Sequence, residues 1–305
     1  MAKLAAAREV VHALRRDIAR IEGRLAETLE VPGEDGDGSQ GIVLARRRGI
    51  AVLPHVPTGV ERFDIALGGG IPAAGLTEVH GRLTRDAGAV SGASLAFAAQ
   101  AAGGRPVVWV ASAEMLREAG QPYLPGIAAT FGIGAGQLLV TQAARLSDLL
   151  WIAEEAAGLD AAGAILLELR GNPGGLDLTA TRRLHRRALA AGRPVFLMRH
   201  GAVAEPTAAP LRLVVAPVIA APRMTLAGPL AGSIGPPAFD VLVDKNRLSP
   251  HARFLLSWDA GRRMFEERAD EPAATDTRHL AAIHDHRPGI PAAAGEIVAL
   301  RRKAG

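Results

Sequence analysis

The chain has no cysteine in its 305 residues, which excludes disulfides, thiolate metal ligands and a cysteine nucleophile and fits a reducing cytoplasm. Lysine is nearly missing too: Lys3, Lys245 and Lys303 are the only ones, so arginine carries the positive charge. Long hydrophobic runs are absent. The stretch around Ala164 to Leu167 is too short to span a bilayer, so no membrane partner is expected. Met1 to Glu30 is charged throughout, with no apolar h-region and no small-residue cleavage site, and no secretory signal is read there. The formal net charge is only +4, and the Ala, Gly and Arg richness matches a GC-rich genome. Basicity by itself therefore does not point to nucleic acid.

What is present is a globular composition, 49% hydrophobic, long enough to bury one large core with appendages. Residues 3–30 read as a helix: Leu4, Ala7, Val11, Leu14, Ile18, Ile21 and Leu25 recur at three- and four-residue steps. That seam fits a short coiled coil or partner helix, or a helix packed on its own core. The polar linker Pro32 to Gln40 stops it. From Gly41 to about Arg268, short β-branched runs alternate with Ala/Leu-rich stretches of helix length. Strands are expected at Leu76–His80, Val107–Ala111, Leu138–Thr141, Ala164–Leu169, Val195–Arg199, Leu211–Val215, Val241–Asp244 and Ala252–Trp258. Helix-length spacing between the early ones predicts parallel strands with crossover helices, and close spacing of the last ones predicts an antiparallel extension at one edge. The expected domains are 1–40, helix and linker; 41–270, an α/β core; and 271–305, a flexible tail with a basic end that is either a docking element or a frayed terminus.

In an open parallel sheet, phosphates favour a glycine-rich turn that leads from a strand into a helix N-terminus. Here Gly81 to Ser94 follows the first strand, and a helix is expected from near Ser91. Against G-x-x-x-x-G-K-[ST], Ser91-Gly92-Ala93-Ser94 has the ending, with Ala93 where lysine belongs. Gly81, Gly92 and Ser94 are the candidate nucleotide contacts. Arg82 and Arg85 are poor substitutes for the missing ammonium, so hydrolysis is expected to be negligible.

Thr58-Gly59 and Asp64-Ile-Ala-Leu-Gly-Gly-Gly-Ile-Pro72, then Gly75, Glu78 and Gly81, resemble the RecA family, and the resemblance extends over most of residues 56–258. It implies a RecA-like, mainly parallel sheet flanked by helices. It also places Glu114 at the glutamate that activates the attacking water, and Glu168 at the Walker B carboxylate. Tyr123 falls near the adenine-stacking tyrosine, and Lys245 and Arg247 fall at the basic motif that reaches a neighbouring subunit's nucleotide. The segments after Leu169 and from His200 to Pro210 are short where the family carries DNA-binding loops. With the degenerate P-loop, Leu176–Leu184 and the Asn246-Arg247 to Trp258-Asp259 ending, the chain is similar to the ImuA branch of that family. The resemblance implies an accessory role in SOS-controlled translesion synthesis, with an ImuB-like Y-family protein, an error-prone replicative-type polymerase and RecA itself as partners. Self-association is compatible with it.

Three other clusters stand out. Arg182, Arg183, Arg186 and Arg187 lie on a helix in two i,i+4 pairs, either as a solvated face, or for an acidic partner, or for DNA phosphates; interleaved aromatics are lacking. His279, His284 and His286 sit in the tail, and no metal is expected there. Glu114 and Glu168 either retain binding without turnover, with residual ATP and magnesium, or are structural remnants. The expectation is a cytoplasmic, non-catalytic scaffold without a required cofactor. The alternatives are an ATPase using Lys245 and Arg247 in trans, and a regulator that caps RecA filaments or inhibits division in the manner of SulA.

Overall fold

The computed structural model describes residues 54–246 and 251–268. The N-terminal seam, the linker, Arg247, the histidine cluster and the tail lie outside the described residues.

All eight expected strands are present, with bounds differing by up to three residues at either end. The strands β1 (His55–Val56) and β2 (Ile71–Pro72) pair with each other, as do β9 (Met224–Thr225) and β10 (Gly228–Pro229). The remainder form one nine-stranded sheet. In chain order they are β3 (Gly75–His80), β4 (Val107–Ser112), β5 (Leu138–Ala143), β6 (Ala164–Arg170), β7 (Pro194–His200), β8 (Leu211–Pro217), β11 (Ala238–Asn246), β12 (Ala252–Asp259) and β13 (Met264–Glu267). Their spatial order is β13-β12-β11-β8-β3-β7-β6-β4-β5. The block from β8 to β5 is parallel, and β11, β12 and β13 extend it antiparallel past β8, as their close sequence spacing predicts.

Parallel pairs need crossovers, and these supply the helices. Helix α1 (Glu61–Leu67) precedes the sheet. Helix α2 (Ala87–Ala102) joins β3 to β4, and α3 (Ala113–Ala119) and α4 (Leu124–Phe131) join β4 to β5. Helices α5 (Leu146–Gly158) and α6 (Leu178–Ala191) precede β6 and β7. Alternation along each strand divides the core between two faces: Ala164 and Leu166 of β6 pack with Val90 and Phe97 of α2, while Ile165 and Leu167 pack with Leu149 of α5 and Leu184 of α6. Burial on both faces explains why β6 reads as an unbroken apolar run. The antiparallel strands close on the α2 side, where Phe265 lies 5.1 Å from both Phe97 and Trp258. Gly92 admits the Phe239 ring, since a Cβ there would stand 3.2 Å from it.

The glycine run after α1 has a steric cause. Gly70 adopts φ +118°, and a Cβ on it would fall 2.2 Å from the Val56 carbonyl oxygen. Among the described residues, no helix is long and apolar enough to cross a membrane.

Candidate functional site

The carboxyl ends of the parallel strands carry the polar residues, as expected for a sheet of this kind. The loop after β3 differs from the expectation in one important respect. The α-helix begins at Ala87, directly after a single 3-10 turn over Thr84–Asp86, four residues earlier than the sequence pattern suggests. Ser91, Gly92, Ala93 and Ser94 therefore lie inside α2 rather than at its start. Ser94 is fully buried, and among the described residues its hydroxyl has no partner. The loop proper is Gly81 to Asp86, and Asp86 stands next to the helix N-terminus. Its buried carboxylate accepts the Leu83 N–H at 2.9 Å. A backbone donor of the kind that cradles phosphate is thus taken by the chain's own carboxylate, whose negative charge also opposes an incoming anion. Arg82 and Arg85 are both exposed.

On the α2 face of the sheet, Glu168 near the end of β6 is buried. It accepts the Trp109 indole N–H at 2.9 Å and pairs with His200 Nε2 at 2.8 Å. The Ser91 hydroxyl reaches it only at 3.5 Å. Both oxygens of this carboxylate are thus engaged by buried ring nitrogens. Among the described residues no group of three or more His, Cys, Asp or Glu could hold a metal ion. The sequence reading picked out Glu168 but not its partners. The strand expected at Val195–Arg199 stopped one residue short of His200, although Phe196, Met198 and His200 alternate onto the face that Glu168 shares.

The opposite face holds a second cluster that the sequence did not reveal. Glu78, fully buried in β3, takes Arg199 Nη1 at 3.1 Å, Arg212 Nε at 2.8 Å and the Thr207 hydroxyl at 2.9 Å. Arg199 also pairs with Glu205 at 3.0 Å, and Arg212 with Asp244 at 3.4 Å. The Asn172 side chain, and then Arg199, hold the Glu205 carboxyl below its ordinary range. The segment from His200 to Pro210 is tied down from both sides. Lys245 Nζ donates to the Thr207 carbonyl at 2.8 Å, and Val203 N–H donates to Asn172 at 2.8 Å. His80 ends β3 beside this cluster with its Nε2 buried and, among the described residues, without a partner. Burial lowers its pKa from 6.5 to about 4, Arg199 and Arg212 adding to the effect and Glu78 and Asp244 opposing it.

The remaining candidates are dispersed. Glu114, at the start of α3, is exposed and lies 3.6 Å from Arg170, which also pairs with Glu118. Tyr123 caps α4 with 73% of its surface exposed, against Gly126 of the same helix. Arg183 bonds Glu154 of α5 at 2.6 Å, and Arg187 leans on the Glu154 carbonyl at 3.4 Å. His185 accepts the Leu76 N–H at 3.0 Å, so it is a support for β3 rather than part of the basic face. Arg182 and Arg186 point outward and are exposed.

Sheet order and flanking helices define an α/β protein with a mixed, mostly parallel central sheet. No protein-family model matches the chain, and no curated protein matches it significantly.

Proposed function

We propose that the chain is a non-catalytic, RecA-like scaffold of the ImuA kind, assembling an error-prone translesion-synthesis complex. The observation that carries the non-catalytic part is the Asp86 carboxylate, set on the Leu83 N–H at the N-terminal end of α2, where a nucleotide-binding loop would present lysine and free amides. The engagement of Glu168 by Trp109 and His200 supports the same reading, because a carboxylate committed to two buried partners is not free to hold a metal. The resemblance of residues 56–258 to the RecA family supports the scaffold, and its partners in this reading are an ImuB-like Y-family protein, an error-prone polymerase and RecA. Against a trans-acting ATPase stands Lys245, whose ammonium donates to Thr207 of its own chain.

The test is a titration of the purified full chain with a fluorescent ATP analogue and magnesium, with phosphate release from ATP followed in parallel. Neither binding nor release is expected. Turnover that Glu114→Gln abolishes would refute the reading and favour the ATPase.

A further inference from the structure

The outer face of α6 contains four arginines and no acidic residue. Two of them are committed: Arg183 crosses to the Glu154 carboxylate of α5, and Arg187 lies over Gly158, where a Cβ would meet its guanidinium at 2.5 Å. These contacts hold α5 and α6 side by side and leave Arg182 and Arg186 exposed, one helical turn and about 6 Å apart along the axis. The aromatic that the arginine helix lacks in sequence is supplied by its neighbour in space. Trp151 lies on α5 three residues before Glu154, and 62% of its surface is exposed in the middle of the helix. A large exposed indole at such a position calls for an explanation, because burial of an aromatic side chain is worth more than any surface role it has in isolation.

From this juxtaposition we propose that Trp151 and the Arg182/Arg186 pair form a binding site for single-stranded nucleic acid, one base stacked on the indole and neighbouring phosphates on the guanidinia. Stacking on an exposed aromatic beside a basic track is sequence-tolerant, because every base has a π face. An acidic peptide would use the arginines but has no need of the flat indole. Glu155, exposed one turn beyond Trp151, repels phosphate along α5 and directs the strand across toward α6. The site lies on the face carrying α5 and α6, away from the Asp86 loop, and it does not depend on the scaffold reading.

The tryptophan inventory makes the test direct. Of Trp109, Trp151 and Trp258, the first and last are 5% and 0% exposed, so quenching by an added strand reports Trp151. The full chain is titrated with short oligothymidylate, following indole emission and the anisotropy of a labelled strand. Quenching is expected, with binding that weakens steeply between about 50 and 200 mM salt. Trp151→Ala is expected to weaken binding about tenfold. Arg182→Ala with Arg186→Ala is expected to reduce the slope of log K against log salt by about 1.4, at roughly 0.7 per phosphate released. All three side chains are exposed, and far-UV circular dichroism confirms that the variants fold. Absence of quenching, or variants that bind like the wild type, would overturn the proposal. So would polyglutamate competing as well as the oligonucleotide at equal charge, which would assign the face to an acidic protein.

Discussion

His80 ties the stability of the fold to pH in a calculable way. Its ring is buried beside Arg199 and Arg212, and its pKa falls from 6.5 to about 4. A histidine with a depressed folded-state pKa contributes stability that is fully present above 6.5 and is lost as the pH falls toward 4, because the unfolded chain binds the proton first. Between pH 7 and pH 4.5 the loss comes to about 2 kcal/mol from this residue alone, a substantial share of the stability of an ordinary domain. Other groups titrate in the same range, so the measurement is a difference. Urea denaturation is followed by near-ultraviolet circular dichroism for the wild type and for His80→Leu at several pH values. Leucine does not titrate and leaves no unpaired buried nitrogen, so at pH 7 the variant is expected to be at least as stable as the wild type. The two curves should then diverge by about 2 kcal/mol on acidification, with the wild type losing more. Parallel pH profiles would show that the His80 environment is not what the packing indicates. Glu205 adds an acid-side loss of the same sign but in a lower window, since its depressed pKa matters only as the pH falls through the carboxylate range.

Removing the charge of Glu78 by Glu78→Gln leaves two buried guanidinia without their shared carboxylate, and unfolding free energy should fall by about 3–5 kcal/mol in urea titrations. Trp258→Ala deletes a fully buried ring that packs on Phe131 and Phe265 and donates to the Thr130 carbonyl at 2.7 Å, with a loss of about 3–5 kcal/mol measured the same way. The nucleotide titration and the oligothymidylate titration described above address the two surfaces independently. The first should give no binding, the second salt-dependent quenching.

The strands were legible because each is a short apolar run with a local signature. Ala164–Leu169 needs no partner to be recognised as a buried parallel strand, and the crowding of the last strands already announced their antiparallel pairing. The start of α2 was not legible in the same way. Gly88 is a poor helix former and interrupts the alanines at this start, and the motif pattern drew attention to Ser91 instead. What begins the helix there is the 3-10 turn closed by Asp86 on Leu83, a contact between residues three apart that no periodicity displays. Pairings across the sheet were equally hidden. Glu78 meets Arg199 and Arg212 only because β7 and β8 flank β3, and neighbours 121 and 134 residues distant leave no trace in a local window.

The same contrast separates what a motif position says from what a residue can do there. Sequence placed Glu168 where a metal-binding carboxylate is expected, but the chemistry open to a carboxylate is set by its partners. Alternation along β4 and β7 brings Trp109 and His200 onto the α2 face, and both are spent on Glu168. The residue serves as the acceptor for two buried ring nitrogens, a role that ties β4, β6 and β7 together. A buried carboxylate so engaged is costly to release, because withdrawing it for a metal would leave the Trp109 N–H and the His200 Nε2 without partners. The arginines of α6 invert the case. Their spacing in sequence gives two i,i+4 pairs but not which pair is engaged; contact with α5 commits Arg183 and Arg187 as structural anchors, while Arg182 and Arg186 make no ion pair among the described residues.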